Sequence, residues 1–206
     1  MKKNKISKNW IRKQHKDPFF KQSKIEGYRS RSAYKLIEIN EKFKFLKKNS
    51  YLLDLGSSPG GWAQVASKKV LNGKILCIDT KMMEKINKVF FINGDLNDEL
   101  IHKKIYEFFN KKIDIVISDM AANTTGNKDL DSYKTGQLAL IAMNIALKIL
   151  NKDGVFLSKV FMGSIFDEIQ KKANKHFKKV VKFKHLSSRK ESREIYIYCK
   201  GVLNSV

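Results

Sequence analysis

The stretch DLGSSPGGW, residues 54–62, directly follows a short apolar run and opens a segment of helical pattern. In open α/β sheets, ligands bind at the carboxyl ends of the strands, where glycine lets the backbone pass close to a ligand. Gly56, Gly60 and Gly61 can serve that purpose, although they can also simply make a tight turn from strand to helix. The position of this stretch therefore predicts a ligand-binding loop between a first strand and a helix.

Short apolar runs alternate with helical patterns along most of the chain. The runs that predict strands are residues 51–55, 74–79, 88–92, 113–119 and 154–160. Helical spacing predicts a first helix from Ser30 to about Lys47, and further helices near 61–70, 97–109 and 132–150. This alternation predicts a parallel sheet covered by helices on both faces.

The end of the chain has a different pattern. VVKFKHL (180–186) and REIYIYCK (193–200) are two strand-like runs joined by a short polar turn. They predict a terminal hairpin whose last strand runs antiparallel to its neighbour. A sheet closed in this way is typical of Rossmann-like methyltransferases. The predicted fold class is therefore α/β, with a seven-stranded, mostly parallel sheet, an antiparallel C-terminal strand and helices on both faces.

The loop at residues 54–62 differs from a dinucleotide fingerprint, because it does not read GxGxxG. The acid at the end of the first strand, Asp54, would lie badly beside a pyrophosphate. It suits a cofactor that carries an ammonium group and a sulfonium cation. Charge therefore favours S-adenosylmethionine over NAD as the cofactor.

Two further acids follow the next two strands. Asp79 ends the second strand, where the acid of a nucleotide-binding fold bonds ribose hydroxyls. Asp95 follows the third strand, where an adenine amino group can be met. Each acid alone can also be a helix cap. Together with Asp54, they place an acid at each of three successive strand ends, and this arrangement favours a cofactor site.

The fourth and fifth strands bring another pair of charged residues to the same edge. Asp119 ends the fourth strand and Lys159 lies within the fifth, so both side chains can converge at the carboxyl edge. A lysine inside an apolar strand is costly unless it is paired. The pair can be catalytic, or it can be a salt bridge that only fills the cleft.

Composition favours a polyanionic partner. The 206 residues include 42 lysines and arginines against 20 acids, which gives a formal net charge of +22. Such a balance usually indicates nucleic acid binding. The abundance of Lys, Asn and Ile is also typical of AT-rich genomes, so codon bias accounts for part of the charge.

Cysteine and histidine give no metal signal. Cys77 and Cys199 lie inside strand-like runs, where cysteine behaves as a small buried hydrophobe. The histidines lie far apart and lack the paired spacings of zinc sites; they are His15, His102, His176 and His185. We therefore expect no metal site.

The predicted organisation is a basic N-terminal arm, residues 1–29, followed by one domain, residues 30–206. The arm interleaves lysine and arginine with aromatics such as Trp10 and Phe19 and shows no clean helix or strand period. It can be a solvated tail or an RNA clamp in which cations meet phosphates and aromatics stack on bases. Basic residues near its end can hold an RNA backbone beside the cleft, or be an ordinary solvated charge run; they are Lys21, Lys24, Arg29, Arg31 and Lys35.

The cellular location is expected to be the cytoplasm. The apolar stretch LALIAMNIALKIL is interrupted by Asn144 and Lys148, which favours a core helix over a membrane span. The N-terminus lacks the apolar core of a secretory signal. Residues 1–16 contain no acid, so a mitochondrial transit peptide stays possible for a eukaryotic source.

At the level of motifs, the chain resembles the FtsJ/RrmJ family of ribosomal RNA 2′-O-methyltransferases. The resemblance covers nearly the whole chain and rests on YRSRSAYKL (28–36), DLGSSPGGW, SDMA (118–121), LSKVF (157–161) and SREIYIYCKG (192–201). It implies a catalytic tetrad at Lys35, Asp119, Lys159 and Glu194. It implies cofactor contacts at Gly60, Trp62, Asp79, Asp95 and Asp119. Ser57 and Ser58 depart from the family pattern, in which small Ala or Cys is usual.

The resemblance also implies the reaction and its partner. S-adenosylmethionine would methylate the ribose 2′-hydroxyl of a uridine in the A-loop of large-subunit ribosomal RNA, in an assembled or nearly assembled subunit, with a monomeric enzyme. Lys159 would act as the general base or as a charged donor that orients the hydroxyl. Transfer RNA is the alternative substrate, and an RNA-binding ribosome-assembly factor without catalysis is the alternative class. A nicotinamide oxidoreductase is disfavoured by the missing GxGxxG.

Overall fold

The computed structural model describes residues 17–163, 165–185 and 193–203. The strands are β1 Tyr51–Leu55, β2 Lys74–Asp79, β3 Val89–Asn93, β4 Ile113–Ser118, β5 Leu150–Phe161, β6 Phe177–Phe183 and β7 Glu194–Val202. The helices are α1 Pro18–Ile25, α2 Ala33–Phe43, α3 Gly61–Lys69, α4 Glu99–Phe109, α5 Lys128–Ile149 and α6 Phe166–His176.

The seven strands form one sheet in the order β3-β2-β1-β4-β5-β7-β6. The five strands from β3 to β5 pair in parallel, and β7 runs antiparallel to both β5 and β6. The predicted fold class, including the terminal hairpin, is confirmed. The strand order reverses between β1 and β4, and in such sheets the crevice for a ligand opens at that point.

Each face of the sheet has its own apolar core. On one face α2 and α3 pack over side chains such as Leu52, Ile117 and Leu157. On the other face α4, α5 and α6 pack over alternate residues such as Leu53 and Phe156. Successive strand residues point to opposite faces, so each central strand is apolar on both sides. Both cysteines are free and buried within these cores, as expected from their apolar surroundings.

The structure corrects one predicted helix and adds two that were not predicted. The helix expected from Ser30 to Lys47 covers only α2, because Lys44 takes a left-handed conformation with φ of 49° and ends it. Part of the segment that showed no period forms α1, which is capped by Asp17 and begins at Pro18. The helix α6 was not predicted at all. Its buried residues are spaced at i, i+3 and i+7, and many lysines separate them.

The strand β5 begins four residues before the predicted start at residue 154, and its pairing with β4 shifts register between Ile113 and Ile115. The predicted boundary at residue 29 stays a prediction, because residues 1–16 of the proposed arm lie outside the described residues. The same holds for the hairpin turn at 186–192, which includes Ser192 of the quoted motif. Within the described ranges, none of the helices combines the length and apolarity needed to cross a membrane.

Candidate active site

The loop after β1 passes very close to the segment after β4. Gly56 has a φ of 76°, and a Cβ atom on it would lie 2.1 Å from Cγ of Met120. The loop is held to β2 by the N–H groups of Gly56 and Ser57, which both donate to the carbonyl of Ile78, at 2.8 and 3.2 Å. A side chain at position 56 would be strained at this positive φ and would displace the side chain of Met120. The glycine predicted to allow a close approach is therefore required by the fold of the site itself.

Arg29 fixes the far end of this loop. Its Nη1 donates to the carbonyls of Pro59 and Glu84, at 3.2 and 2.7 Å, and its Nη2 donates to the carbonyl of Lys85 at 3.0 Å. Arg31 is likewise paired with Asp17. The structure thus uses both guanidinium groups for contacts within the protein, and their predicted contact with RNA stays a prediction.

A cleft of about 530 Å³ opens where the loops after β1, β2, β3 and β4 meet. Asp79 and Asp95 lie on its wall, with Leu138 and Ile141 on its apolar side. Asp79 accepts backbone N–H bonds from Ser58 at 2.9 Å and from Lys81 at 2.8 Å, which orients its carboxylate. Asp95 accepts from the N–H of Asn97 at 2.9 Å. Both predicted cofactor acids therefore lie in one cleft.

A smaller chamber of about 120 Å³ adjoins this cleft and shares Gly56 and Asp119 with it. Asp54 lies on its wall, and its Oδ1 is buried without a hydrogen-bond partner among the described residues; the same is true of Oγ of Ser57. Burial, followed by the charges of Asp119 and Asp79, raises the pKa of the Asp54 carboxyl well above its ordinary 3.8. The chamber therefore favours a ligand that brings a positive charge.

Lys159 and Asp119 form the first of two buried ion pairs beside the chamber. The ammonium of Lys159 donates to the backbone carbonyl of Asp119 at 2.5 Å and lies 3.2 Å from its Oδ1. The register of the sheet explains this contact. Ser118 on β4 pairs with Ser158 on β5, so the residues that follow them, Asp119 and Lys159, lie side by side. Only 7% of Lys159 is exposed.

Lys35 and Glu194 form the second pair, with Nζ of Lys35 2.5 Å from Oε1 of Glu194. Lys35 lies in the first turns of α2 and Glu194 begins β7, so the pair joins the helix to the hairpin. Burial alone would raise the pKa of Glu194. The hydrogen bond to His185 and the charges of Lys35 and Lys159 outweigh burial and hold that pKa well below its usual range.

Two polar residues of this site were missed by sequence reasoning. The hydroxyl of Tyr196 donates to Oδ1 of Asp119 at 2.6 Å, and Nε2 of His185 lies 2.7 Å from Oε1 of Glu194. Burial, reinforced by the negative charges of Asp119 and Glu194, raises the pKa of Tyr196 well above 10 and keeps it a donor. Tyr196 could have been found, because it lies two residues after Glu194 on the same strand face. No pattern in the sequence distinguishes His185.

The structure brings the four predicted tetrad residues to one place, and four of the five predicted cofactor residues line the cleft or the adjoining chamber. Trp62 lies on the chamber wall and donates from Nε1 to the carbonyl of Ser32 at 2.9 Å. Gly60, with φ of 110°, is not among the residues that line either cavity, and a Cβ atom on it would point toward Arg29, Met83 and Ile86. Across the described ranges, no group of three or more histidine, cysteine or acidic side chains is arranged to hold a metal ion.

Comparison with known proteins gives consistent matches. A family model described as FtsJ-like methyltransferase matches residues 28–202. A Pelagibacter ubique protein named ribosomal RNA large subunit methyltransferase E is 52% identical over 200 residues, covering 97% of this chain and 98% of that protein. A crystal structure from Plasmodium falciparum, named as a ribosomal RNA methyltransferase, matches with a TM-score of 0.78 at 36% identity, covering 86% of this chain and 100% of the other.

A more distant solved structure shares the fold. It is a Streptococcus mutans protein named as a methyltransferase and solved in complex with SAH, the demethylated product of S-adenosylmethionine. It matches with a TM-score of 0.52 at 17% identity, and the match covers 80% of this chain and 96% of the other. The architecture around the cleft is therefore one that methyltransferases use.

Proposed function

The chain belongs to the FtsJ-like methyltransferase family, and from that membership we propose that it transfers a methyl group from S-adenosylmethionine to the ribose 2′-hydroxyl of a uridine in large-subunit ribosomal RNA. The observation that carries this proposal is the convergence of two ion pairs, Lys159 with Asp119 and Lys35 with Glu194, of which Asp119 lines both the cleft and the chamber. The name of the Pelagibacter ubique relative supports ribosomal RNA as the substrate.

The residues around the cleft fit S-adenosylmethionine. Asp54 and Ser57 present buried polar atoms that have no hydrogen-bond partner in the described part of the chain, and they suit an ammonium group near a sulfonium cation. Asp79 suits the ribose hydroxyls and Asp95 the adenine amino group. When bound, the cofactor supplies a methyl group already activated by the positive sulfur.

The task left to the protein is to align a ribose hydroxyl and to help remove its proton, since that hydroxyl is a poor nucleophile. An ammonium has three donors, and Lys159 directs two of them at Asp119. The third position can face the hydroxyl. Charged Lys159 would orient the oxygen, whereas neutral Lys159 would accept the proton.

The other members of the cluster hold Lys159 in place. Tyr196 and Lys159 both contact Oδ1 of Asp119, so the carboxylate cannot rotate without losing one of them. Lys35 adds a second positive charge nearby, and it is held there by Glu194.

The finer specificity is part of the same proposal. The target would be a uridine of the A-loop, methylated by a monomeric enzyme in the cytoplasm on the assembled or nearly assembled large subunit. The formal net charge of +22 supports a large polyanionic partner such as ribosomal RNA.

The test is methyl transfer from labelled S-adenosylmethionine to purified large subunits, free ribosomal RNA and transfer RNA, followed by mapping of the labelled nucleotide. Label on a ribose 2′-oxygen of a large-subunit uridine is the expected result. Label only on transfer RNA would keep the chemistry and overturn the substrate. Cofactor binding without transfer to any RNA would overturn catalysis and favour the assembly factor.

A further inference from the structure

Four exposed lysines lie on the sheet face that α2 covers, at the end of that face farther from the two proposed catalytic ion pairs. We call them the lysine track: Lys42, Lys44, Lys179 and Lys200. The first two lie at the C-terminal end of α2, whose first turns carry Lys35. The last lies six residues after Glu194 on β7, which at about 3.3 Å per residue separates them by about 20 Å.

The hairpin places two of these lysines directly opposite each other. Lys179 on β6 pairs in register with Lys200 on β7. Like charges directly opposite each other destabilise a sheet. No carboxylate within the described ranges lies within 4.0 Å of Lys44, Lys179 or Lys200. This part of the sheet thus concentrates positive charge that the described protein does not neutralise.

A groove of about 500 Å³ runs beside the track and includes Lys44 and Lys200 in its wall. Its aromatic side contains Tyr198, whose ring stacks on Phe43 with centroids 4.0 Å apart. Two acids, Asp114 and Asp153, also line the groove. Both oxygens of one of them, Asp114, already accept hydrogen bonds, from the N–H of residue 51 and the amide of residue 151. Tyr198 is only 3% exposed and its ring is already stacked within the protein, so the groove offers a nucleic acid strand positive charge for its phosphates rather than a ring for base stacking.

Two simpler explanations account for only part of this arrangement. Lysines protect edge strands from pairing with other chains, and β6 is an edge strand. The opposite edge strand, β3, contains no lysine, so this sheet does not rely on lysine at its edges generally. Cations are also favoured at a helix C-terminus, which covers Lys42 and Lys44 but leaves the facing pair on the hairpin unexplained.

We propose that the lysine track binds the phosphodiester backbone of the substrate RNA on one side of the target nucleotide. The inference rests on the proposed function for the identity of that RNA. The track lies about 20 Å from the tetrad along the hairpin, so it contacts nucleotides that flank the methylated one. It contributes affinity without base specificity, because phosphate contacts carry no sequence information.

The test compares two triple variants with the same change in charge. The first is Lys44→Gln, Lys179→Gln and Lys200→Gln. The matched control is Lys103→Gln, Lys104→Gln and Lys148→Gln, at exposed positions on α4 and α5 on the other face of the sheet. RNA affinity is measured across salt concentrations. Each lost phosphate contact lowers the slope of log affinity against log salt by about 0.7 to 0.9.

For the track variant we expect a slope smaller by about 2, an RNA KM about 10-fold higher, and unchanged kcat and cofactor affinity. The control should match the native chain. A short RNA that ends just beyond the target nucleotide cannot reach the far lysines, so on it the track variant and the native chain should behave alike. Equal slopes for both triple variants, or the same loss on short and long RNA, would overturn the proposal.

Two further readouts keep the result interpretable. Cofactor affinity reports on folding, and if it drops in the triple variant, Lys179→Gln alone should still lower the slope by about 0.7 to 0.9. If the native chain methylates no RNA, the proposed function fails. The track is then judged by the salt dependence of RNA binding alone, where equality with the control rejects it.

Discussion

The acids at the carboxyl edge of the sheet lie in two opposite environments. Asp119 and Glu194 each have a buried lysine within 3.2 Å, so their charges are balanced inside the protein. Asp54, which lines the same chamber as Asp119, is fully buried and has an oxygen without any partner among the described residues. The proposed catalytic side therefore carries its own cations, whereas on the proposed cofactor side Asp54 has no such cation among the described residues.

The two environments differ in when the free-energy cost of burying a charge is compensated. The ion pairs cost desolvation once, during folding, and then hold a fixed geometry for the reaction. The Asp54 carboxylate stays costly until a positive ligand neutralises it. Substitutions on the catalytic side should change the rate of methyl transfer, and substitutions on the cofactor side should change affinity.

The largest effect is expected at Lys159. Lys159→Ala should lower kcat roughly 10³-fold, as loss of a catalytic proton-transfer or orienting group does, while cofactor affinity stays nearly unchanged. Lys159→Arg keeps a charge and its donors but cannot accept a proton. About a tenth of native activity in the arginine variant indicates the orienting role, and loss equal to that of alanine indicates the base. Unchanged turnover of Lys159→Ala would remove this residue from the mechanism.

Asp54→Asn tests the cofactor side and should weaken S-adenosylmethionine binding about 100-fold, because it removes one partner of a buried charge pair. The native chain should bind more tightly as pH rises toward the raised pKa of ligand-free Asp54 and level off above it. The folded acid binds its proton more tightly than the unfolded one, so ligand-free stability should fall as pH rises from 3.8 to that raised pKa. Calorimetry across pH checks both trends, and a pH dependence that persists in the variant would assign them elsewhere.

Asp79→Ala should have a smaller effect, about 10-fold on cofactor affinity, since it removes hydrogen bonds to a neutral ribose and not a charge pair. The alanine also leaves the N–H groups of Ser58 and Lys81 without their acceptor. Adenosine, which has the ribose but no amino acid part, should lose affinity in parallel. Unchanged affinity for both ligands would show that the ribose assignment is wrong.

The smallest effect is expected at His185, which contacts the catalytic side through Glu194. His185→Leu should lower kcat about 5-fold, the value of one hydrogen bond of ordinary strength. Its loss also raises the pKa of Glu194, so activity should fall at a higher pH on the acid side than in the native chain. His185→Gln, which keeps a donor, should restore most of the rate and the native pH profile. A leucine variant with a native profile would leave His185 a packing role only.

Sequence alone predicted the sheet, and it predicted which polar residues lie together at one edge of it, because strand periodicity places strand ends and strand ends place polar residues. Asp79, Asp95 and Asp119 were found in this way, and all three line one cleft. Lys159 was found because a lysine in an apolar strand is conspicuous. The tetrad members Lys35 and Glu194 came from family resemblance, and the structure brings them together across 159 positions of sequence.

What sequence reasoning missed depends on contacts between distant elements. The helix α6 was overlooked because only three of its residues are buried. His185 contacts Glu194 because the hairpin folds back on itself, which spacing does not reveal. The cofactor contact implied for Gly60 by family resemblance stays a prediction; Gly60 adjoins Arg29, and the loop after β1 meets that arginine across 30 positions of sequence, which spacing does not reveal.

The contacts of Arg29 have a consequence for how this family can diverge. The three oxygens it binds belong to the main chain, and the nearby carboxylate of Glu84 is 91% exposed and adds little. Substitutions at positions 84 and 85 therefore leave the contact intact, whereas a single lysine point charge cannot reproduce the planar fork at position 29. Related sequences should drift freely in the loop after β2 while keeping arginine at 29, so covariation between these positions should be weak even though they touch.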